Sequence, residues 1–110
     1  MKQENLTVNG DGKHSRDFTF IENVVQANIK AAFCEDKNAV NQVYNVAFGK
    51  NTDLNVLVGT LKSCLQQNGA AVDGSTIIHG PERKGDVKHS LADISKASHL
   101  LNYQPLFDFE

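Results

Sequence analysis

Along the chain the spacing of apolar and polar positions changes period several times, and each change marks an element. Leu6-Thr7-Val8 alternates, as does Phe18-Thr19-Phe20, which is the period of two expected of a half-buried strand. Between them Asn9-Gly10-Asp11-Gly12 contains two dipeptides that tolerate positive φ, so the segment predicts a β-hairpin or strand–turn unit. From Ile21 the period lengthens. Glu22, Asn23, Gln26 and Lys30 fall within about a third of a helical wheel at roughly 100° per residue. Ile21, Val24, Val25, Ala31 and Ala32 take the opposite side, so a helix is expected to about Cys34 with that apolar side buried.

Gln42 to Phe48 (QVYNVAF) is short, β-branched and aromatic, with Gly49 behind it, and reads as a buried strand. Thr52 is placed to cap a second helix, in which Leu54, Leu57, Val58, Leu61, Cys64 and Leu65 share one face. Asn68-Gly69 ends it with a left-handed cap. Thr76-Ile77-Ile78-His79 predicts a strand. Asp93 is the expected N-cap of a last helix with Ile94, Ala97, Leu100 and Leu101 inward, and Pro105 forbids its continuation. The expected order is ββ-α-β-α-β-α, a small mixed α/β (α+β) arrangement. Its three helical faces have few, short strands to cover them, so an exposed apolar surface is expected.

Composition narrows the classes without choosing among them. With 110 residues, 40% hydrophobic and 22% charged, the chain is at most one globular domain and too apolar for a disordered one. The formal charge of -2 and the scatter of Lys and Arg argue against a nucleic-acid surface. No apolar run approaches the ~20 residues of a membrane helix. The polar opening MKQENLTVNG is unlike a secretory signal, so a cytoplasmic location is expected. Cys34 and Cys64 sit at apolar helical positions and read as small reduced core residues. His14, His79, His89 and His99 lack ligand spacing, which argues against a metal site, and Ser15 beside His14 lacks a third group to orient a base.

Two loops concentrate polar chemistry: residues 10–18 (GDGKHSRDF), with Arg16 beside Asp17, and residues 80–90 (GPERKGDVKHS), with Arg83 and Asp86. An arginine fork makes two parallel charge-assisted bonds to phosphate, and an aspartate accepts both hydroxyls of a ribose diol. Each loop read alone favours solvated turn chemistry over a binding site; Lys84 and Lys88 read as surface lysines.

The order GDGKHSRDFTFIENVVQANIKAA, VYNVAFG, GPERKGDVKHSLADISKASHLLNYQP resembles the C-terminal part of the extended short-chain dehydrogenase/reductase nucleotide-sugar enzymes. It is most like the UDP-N-acetylglucosamine 4-epimerases and their kin the UDP-glucose 4-epimerases, over about residues 6 to 105. The resemblance implies that Arg16 and Arg83 contact the nucleotide diphosphate and that Asp86 binds the ribose. Ser90, four residues on, implies a sugar pocket open to N-acetyl groups, or else a hydrogen bond that starts the next turn. It further implies a UDP-sugar as partner, a homodimeric parent, and NAD as the parent's cofactor. No Gly-x-x-Gly-x-x-Gly occurs here, and Tyr44 and Tyr103 precede Phe48 and Phe107 rather than a lysine at the fourth position. The expectation is therefore a substrate-binding portion, inactive alone, that lacks a Rossmann half. The alternatives are a non-enzymatic nucleotide-sugar-binding or interaction module, or part of a sister decarboxylase or dehydratase.

Overall fold

The computed structural model describes residues 5–72 and 74–109; the first four residues of the polar opening run lie outside them. The elements are β1 (Leu6–Asn9), β2 (Ser15–Arg16), α1 (Ile21–Ala32), β3 (Thr52–Asp53), α2 (Leu54–Gln67), β4 (Ile77–Gly80) and α3 (Ser95–Leu101). The order ββ-α-β-α-β-α holds, but two of the strands are other segments than the alternation marks. The chain divides into two compact units, one of Met1–Arg16 with Thr52–Ser90 and one of Asp17–Asn51 with Leu91–Glu110.

In the first unit β1 pairs in parallel with β4, Leu6 opposite Ile77 through Asn9 opposite Gly80. The expected hairpin does not form. Its turn does, with Gly10 and Gly12 both at φ +75, but the turn delivers the chain to β2, which pairs antiparallel with β3. Gly12 has a second constraint, because a Cβ there would collide with the Asn55 side chain.

The turn also closes the start of α2. Leu54 N–H donates to the His14 carbonyl at 3.1 Å and Asn55 N–H to the Gly12 carbonyl at 3.2 Å. Asp53, not Thr52, is the cap: its carboxylate accepts from Val56 N at 2.8 Å, while Thr52 is buried in β3. Asp53→Ala should cost about 1 kcal/mol, read as faster amide exchange along residues 54–58. The helix ends as expected, with Gly69 at φ +77 after Asn68. No residue of α2 is fully buried, and Cys64 is exposed rather than in a core. Its apolar face is covered too little by a two-stranded ladder.

The second unit holds the apolar core: Ala27, Ala39, Ala97, Leu101 and Tyr103, flanked by half-buried Cys34, Tyr44, Val46, Ile94 and Leu100. Here α1 reverses the expected faces. Asn23 and Ala27 are its buried residues, whereas Ile21 is 64% and Val25 48% exposed. The reason is hydrogen bonding. The Asn23 amide accepts from Leu106 N and Phe107 N and donates to the Phe107 carbonyl, so a polar side chain is buried fully paired. The apolar stripe left outside is the exposed surface that the patterning anticipates.

Phe18-Thr19-Phe20 is no strand; its alternation serves ring packing instead. Phe18 meets Phe109 at 5.9 Å and Phe20 meets Phe107 at 5.7 Å between ring centroids. Nor is Gln42–Phe48 a strand. Its polar backbone is held by side chains: the Asp17 carboxylate accepts from Phe48 N and Gly49 N, and Tyr103 OH donates to the Ala47 carbonyl at 2.7 Å. At α3 the N-cap position is Ile94. Asp93 stands one residue earlier and accepts from Ser95 N at 2.9 Å, and its bonds to Ser95 hold its carboxyl below the ordinary range. Ala97 and Leu101 face inward as expected.

Candidate functional site

Every group of the candidate site belongs to the first unit. β2 fixes Arg16, and the turn Arg83–Asp86 fixes the other two charged groups. That turn closes with Asp86 N–H on the Arg83 carbonyl at 3.1 Å and passes through Gly85 at φ +84, a conformation costly for any residue with a Cβ. Arg16, Arg83 and Asp86 line one cavity of ≈ 470 Å³. Its less polar walls are Thr7, Val8 and Asn9 of β1 and Leu54 and Val58 of α2.

Two of the three charged groups already touch. Arg16 Nη2 donates to Asp86 Oδ1 at 2.7 Å, with the two side chains 31% and 36% exposed, and its Nη1 donates to the Ser15 carbonyl at 2.7 Å. A pair this exposed adds little to stability. What it does is orient: it holds Asp86 against the mouth of the cavity while Arg83 carries the second positive charge. Two guanidinium groups against one carboxylate leave a net positive lining, suited to a ligand that brings both an anion and hydroxyls.

The donors here are side chains. The first three amides of α2 are occupied by His14, Gly12 and Asp53, so this helix start offers no phosphate cradle of the kind that dinucleotides use. Among the described residues there is no group of three or more His, Cys, Asp or Glu placed to hold a metal ion.

Ser90 does not line the cavity; its N–H donates to the Ser15 carbonyl at 3.1 Å. Sequence reasoning passed over three residues that build the site. His14 is 6% exposed and lines the cavity, and nothing in its sequence neighbourhood signals burial. Ser15, equally buried, bonds through Oγ to His89 Nδ1 at 2.8 Å across 74 positions, a pairing invisible without the fold. Asp11 accepts from Lys13 N at 2.9 Å within the turn that leads to His14; that bond holds its carboxyl below the ordinary range, and the charges of Lys13 and His14 add to that.

Over the portion that this chain spans, the fold is that of the extended short-chain dehydrogenase/reductase nucleotide-sugar epimerases. A family model described as GDP-mannose 4,6 dehydratase matches residues 1–110, and the chain belongs to that family. The solved UDP-N-acetylglucosamine 4-epimerase of Methanobrevibacter ruminantium, in complex with UDP-N-acetylmuramic acid, superposes with a TM-score of 0.76 at 35% identity, over 92% of this chain and 29% of its own. A putative UDP-glucose 4-epimerase of Methanocaldococcus jannaschii is 30% identical over 110 residues, all of this chain and 32% of that protein. A dTDP-glucose 4,6-dehydratase of Xanthomonas campestris is 30% identical over 97% of this chain and 31% of its own length. The chain thus spans about a third of the relatives it matches. Among the described residues no helix is long and apolar enough to cross a membrane.

Proposed function

We propose that this chain is the C-terminal, UDP-sugar-binding portion of an NAD-dependent nucleotide-sugar 4-epimerase. The observation that carries the reading is the convergence of Arg16, Arg83 and Asp86 on one cavity from loops that are 70 residues apart at the Arg16–Asp86 contact. In this reading the two guanidinium groups take the diphosphate and Asp86 accepts the ribose hydroxyls. Ser90 is the small residue by which the parent admits an N-acetyl group. NAD is held by a Rossmann half outside these residues, and the parent works as a homodimer in the cytoplasm. Of the sister reactions, a 4,6-dehydratase is the second reading, favoured by the family description and by the Xanthomonas relative.

The chemistry of such a parent, oxidation of the sugar at C4 and return of the hydride, needs a cofactor cradle and a Tyr-x-x-x-Lys pair. Neither motif is in this sequence. The purified chain should therefore not interconvert UDP-GlcNAc and UDP-GalNAc with NAD supplied. Joined to a partner half that carries both motifs, it should support turnover, and Arg83→Ala should lower that turnover at limiting substrate. Turnover by the chain alone, above a mock-purified control, contradicts the division of labour. A joined enzyme that releases water from a dTDP- or GDP-sugar instead selects the dehydratase.

A further inference from the structure

The segment that carries Arg83 and Asp86 is exposed from Glu82 to Ser90 and contains no ladder of its own. β2 holds it at two neighbouring points: Arg16 grips Asp86, and Ser15 grips the far end around His89. Ser15 N–H donates to the Lys88 carbonyl at 2.8 Å and the Ser15 carbonyl accepts from Ser90 N at 3.1 Å. These two bonds flank His89, so that Ser15 and His89 form a parallel bridge and their side chains meet at 2.8 Å. The next residue in β2 is Arg16, and three positions before His89 stands Asp86, its ion partner. The Ser15–His89 contact thus sits at the base of both arms of the charged cluster.

We propose that Ser15 and His89 are positioning residues, a side-chain latch that fixes the Arg83–Asp86 turn at a set distance from Arg16 for a nucleoside diphosphate. The proposal rests on the ligand reading above for its purpose, but not for its mechanics. An exposed loop with so few side-chain anchors frays when one of them is removed, and a binding group that must be re-ordered at each encounter loses affinity. The backbone bonds of Ser15 survive loss of either side chain; what is lost is the sideways restraint on the loop. The pair is no nucleophilic dyad, because Ser15 is 6% exposed and committed to the bridge.

Amide hydrogen exchange over residues 83–90 in the unliganded chain tests this directly. His89→Ala and Ser15→Ala should each speed exchange there by about five- to tenfold, the scale of one lost hydrogen bond, with residues 6–9 and 77–80 unchanged. The double variant should be no faster than either single one. His89→Asn should keep the wild-type rate, since a carboxamide at the position of Nδ1 can either accept from or donate to the Ser15 hydroxyl. Should His89→Ala unfold the unit, the Asn variant decides: wild-type protection supports the latch, and lost protection overturns it. Unchanged exchange in both single variants, or effects that add in the double, also overturn it. Titration with UDP separates the two ideas. If UDP protects the loop, His89→Ala should weaken it about five- to tenfold and His89→Asn should not; equal UDP affinity in His89→Ala overturns the positioning role. If UDP never protects the unaltered chain, the ligand reading fails, while the exchange comparison still decides the latch.

Discussion

Replacing Tyr103 by alanine should unfold the second unit under conditions where the unaltered chain is folded. Tyr103 is fully buried among Ala27, Ala39, Ala97 and Leu101, where the other fully buried side chains are too small to close over a missing ring. Aromatic-to-alanine changes at such sites cost about 3 to 5 kcal/mol, a large share of the ~5 to 15 kcal/mol that holds a domain together. The phenol also donates to the Ala47 carbonyl, so its loss leaves that oxygen unpaired. Tyr103→Phe keeps the ring and loses only the bond, for about 1 kcal/mol. Urea unfolding followed in the second unit should rank the three proteins unaltered, Phe, Ala. The same residue sets an alkaline limit. Burial pushes its hydroxyl above the ordinary tyrosine value, and the Asp17 carboxylate adds to the rise. The native state thus prefers the neutral phenol. Its contribution is complete below pH about 10 and is lost as pH rises through the raised value. Tyr103→Phe should flatten that part of the alkaline decline, and what remains includes Tyr44, also raised by burial. A Phe variant with an unaltered alkaline limb contradicts the assignment.

The second large effect concerns the cavity. Arg83→Ala removes a guanidinium that the ligand reading places on a diphosphate. A hydrogen bond to a charged group is worth about 1.5 to 3 kcal/mol, so UDP affinity should fall tenfold or more. Arg16→Ala should do as much by a different route, because it removes a phosphate donor and also frees Asp86, whose carboxylate Arg16 now holds. Lys84→Ala, on the exposed turn, should change little. Uridine, which lacks the diphosphate, should bind weakly and be insensitive to Arg83→Ala. Equal losses for uridine and UDP would mean that Arg83 shapes the loop rather than contacts the anion.

The order of elements and the Asn68-Gly69 stop of α2 were legible in the residue pattern, and the grouping of Arg16, Arg83 and Asp86 came from the family resemblance; the stop of α3 is Asn102 in the left-handed conformation, ahead of Pro105. What failed, failed for identifiable reasons. Periodicity reports which positions are alike, not which side a partner covers, so it assigned Asn23 to solvent. The amide is instead buried, because it pairs with the backbone of Leu106 and Phe107. Phe18 and Phe20 alternate as a strand would, yet their rings pack tilted and edge-on against Phe109 and Phe107 rather than along a ladder. Gln42–Phe48 has strand composition but takes its hydrogen bonds from Asp17 and Tyr103. That Arg16 and Asp86 meet follows from tertiary pairing across 70 positions, which local pattern does not encode. The motif Ser15-Arg16-Asp17 nonetheless carried more than was read from it. Its three residues serve the loop latch, the charged cavity and the Phe48–Gly49 backbone in turn.

A UDP-binding role requires Arg16, Arg83 and Asp86 to form one nucleotide site. The most direct measurement is a titration of the isotope-labelled chain with UDP, followed by amide chemical shifts up to millimolar ligand. The predicted result is a saturable set of shifts at residues 7–9, 16 and 83–86, with the affinity reduced tenfold or more by Arg83→Ala and unchanged by Lys84→Ala. Shifts that do not saturate, that fall outside the cavity, or that persist undiminished in both Arg16→Ala and Arg83→Ala would contradict it.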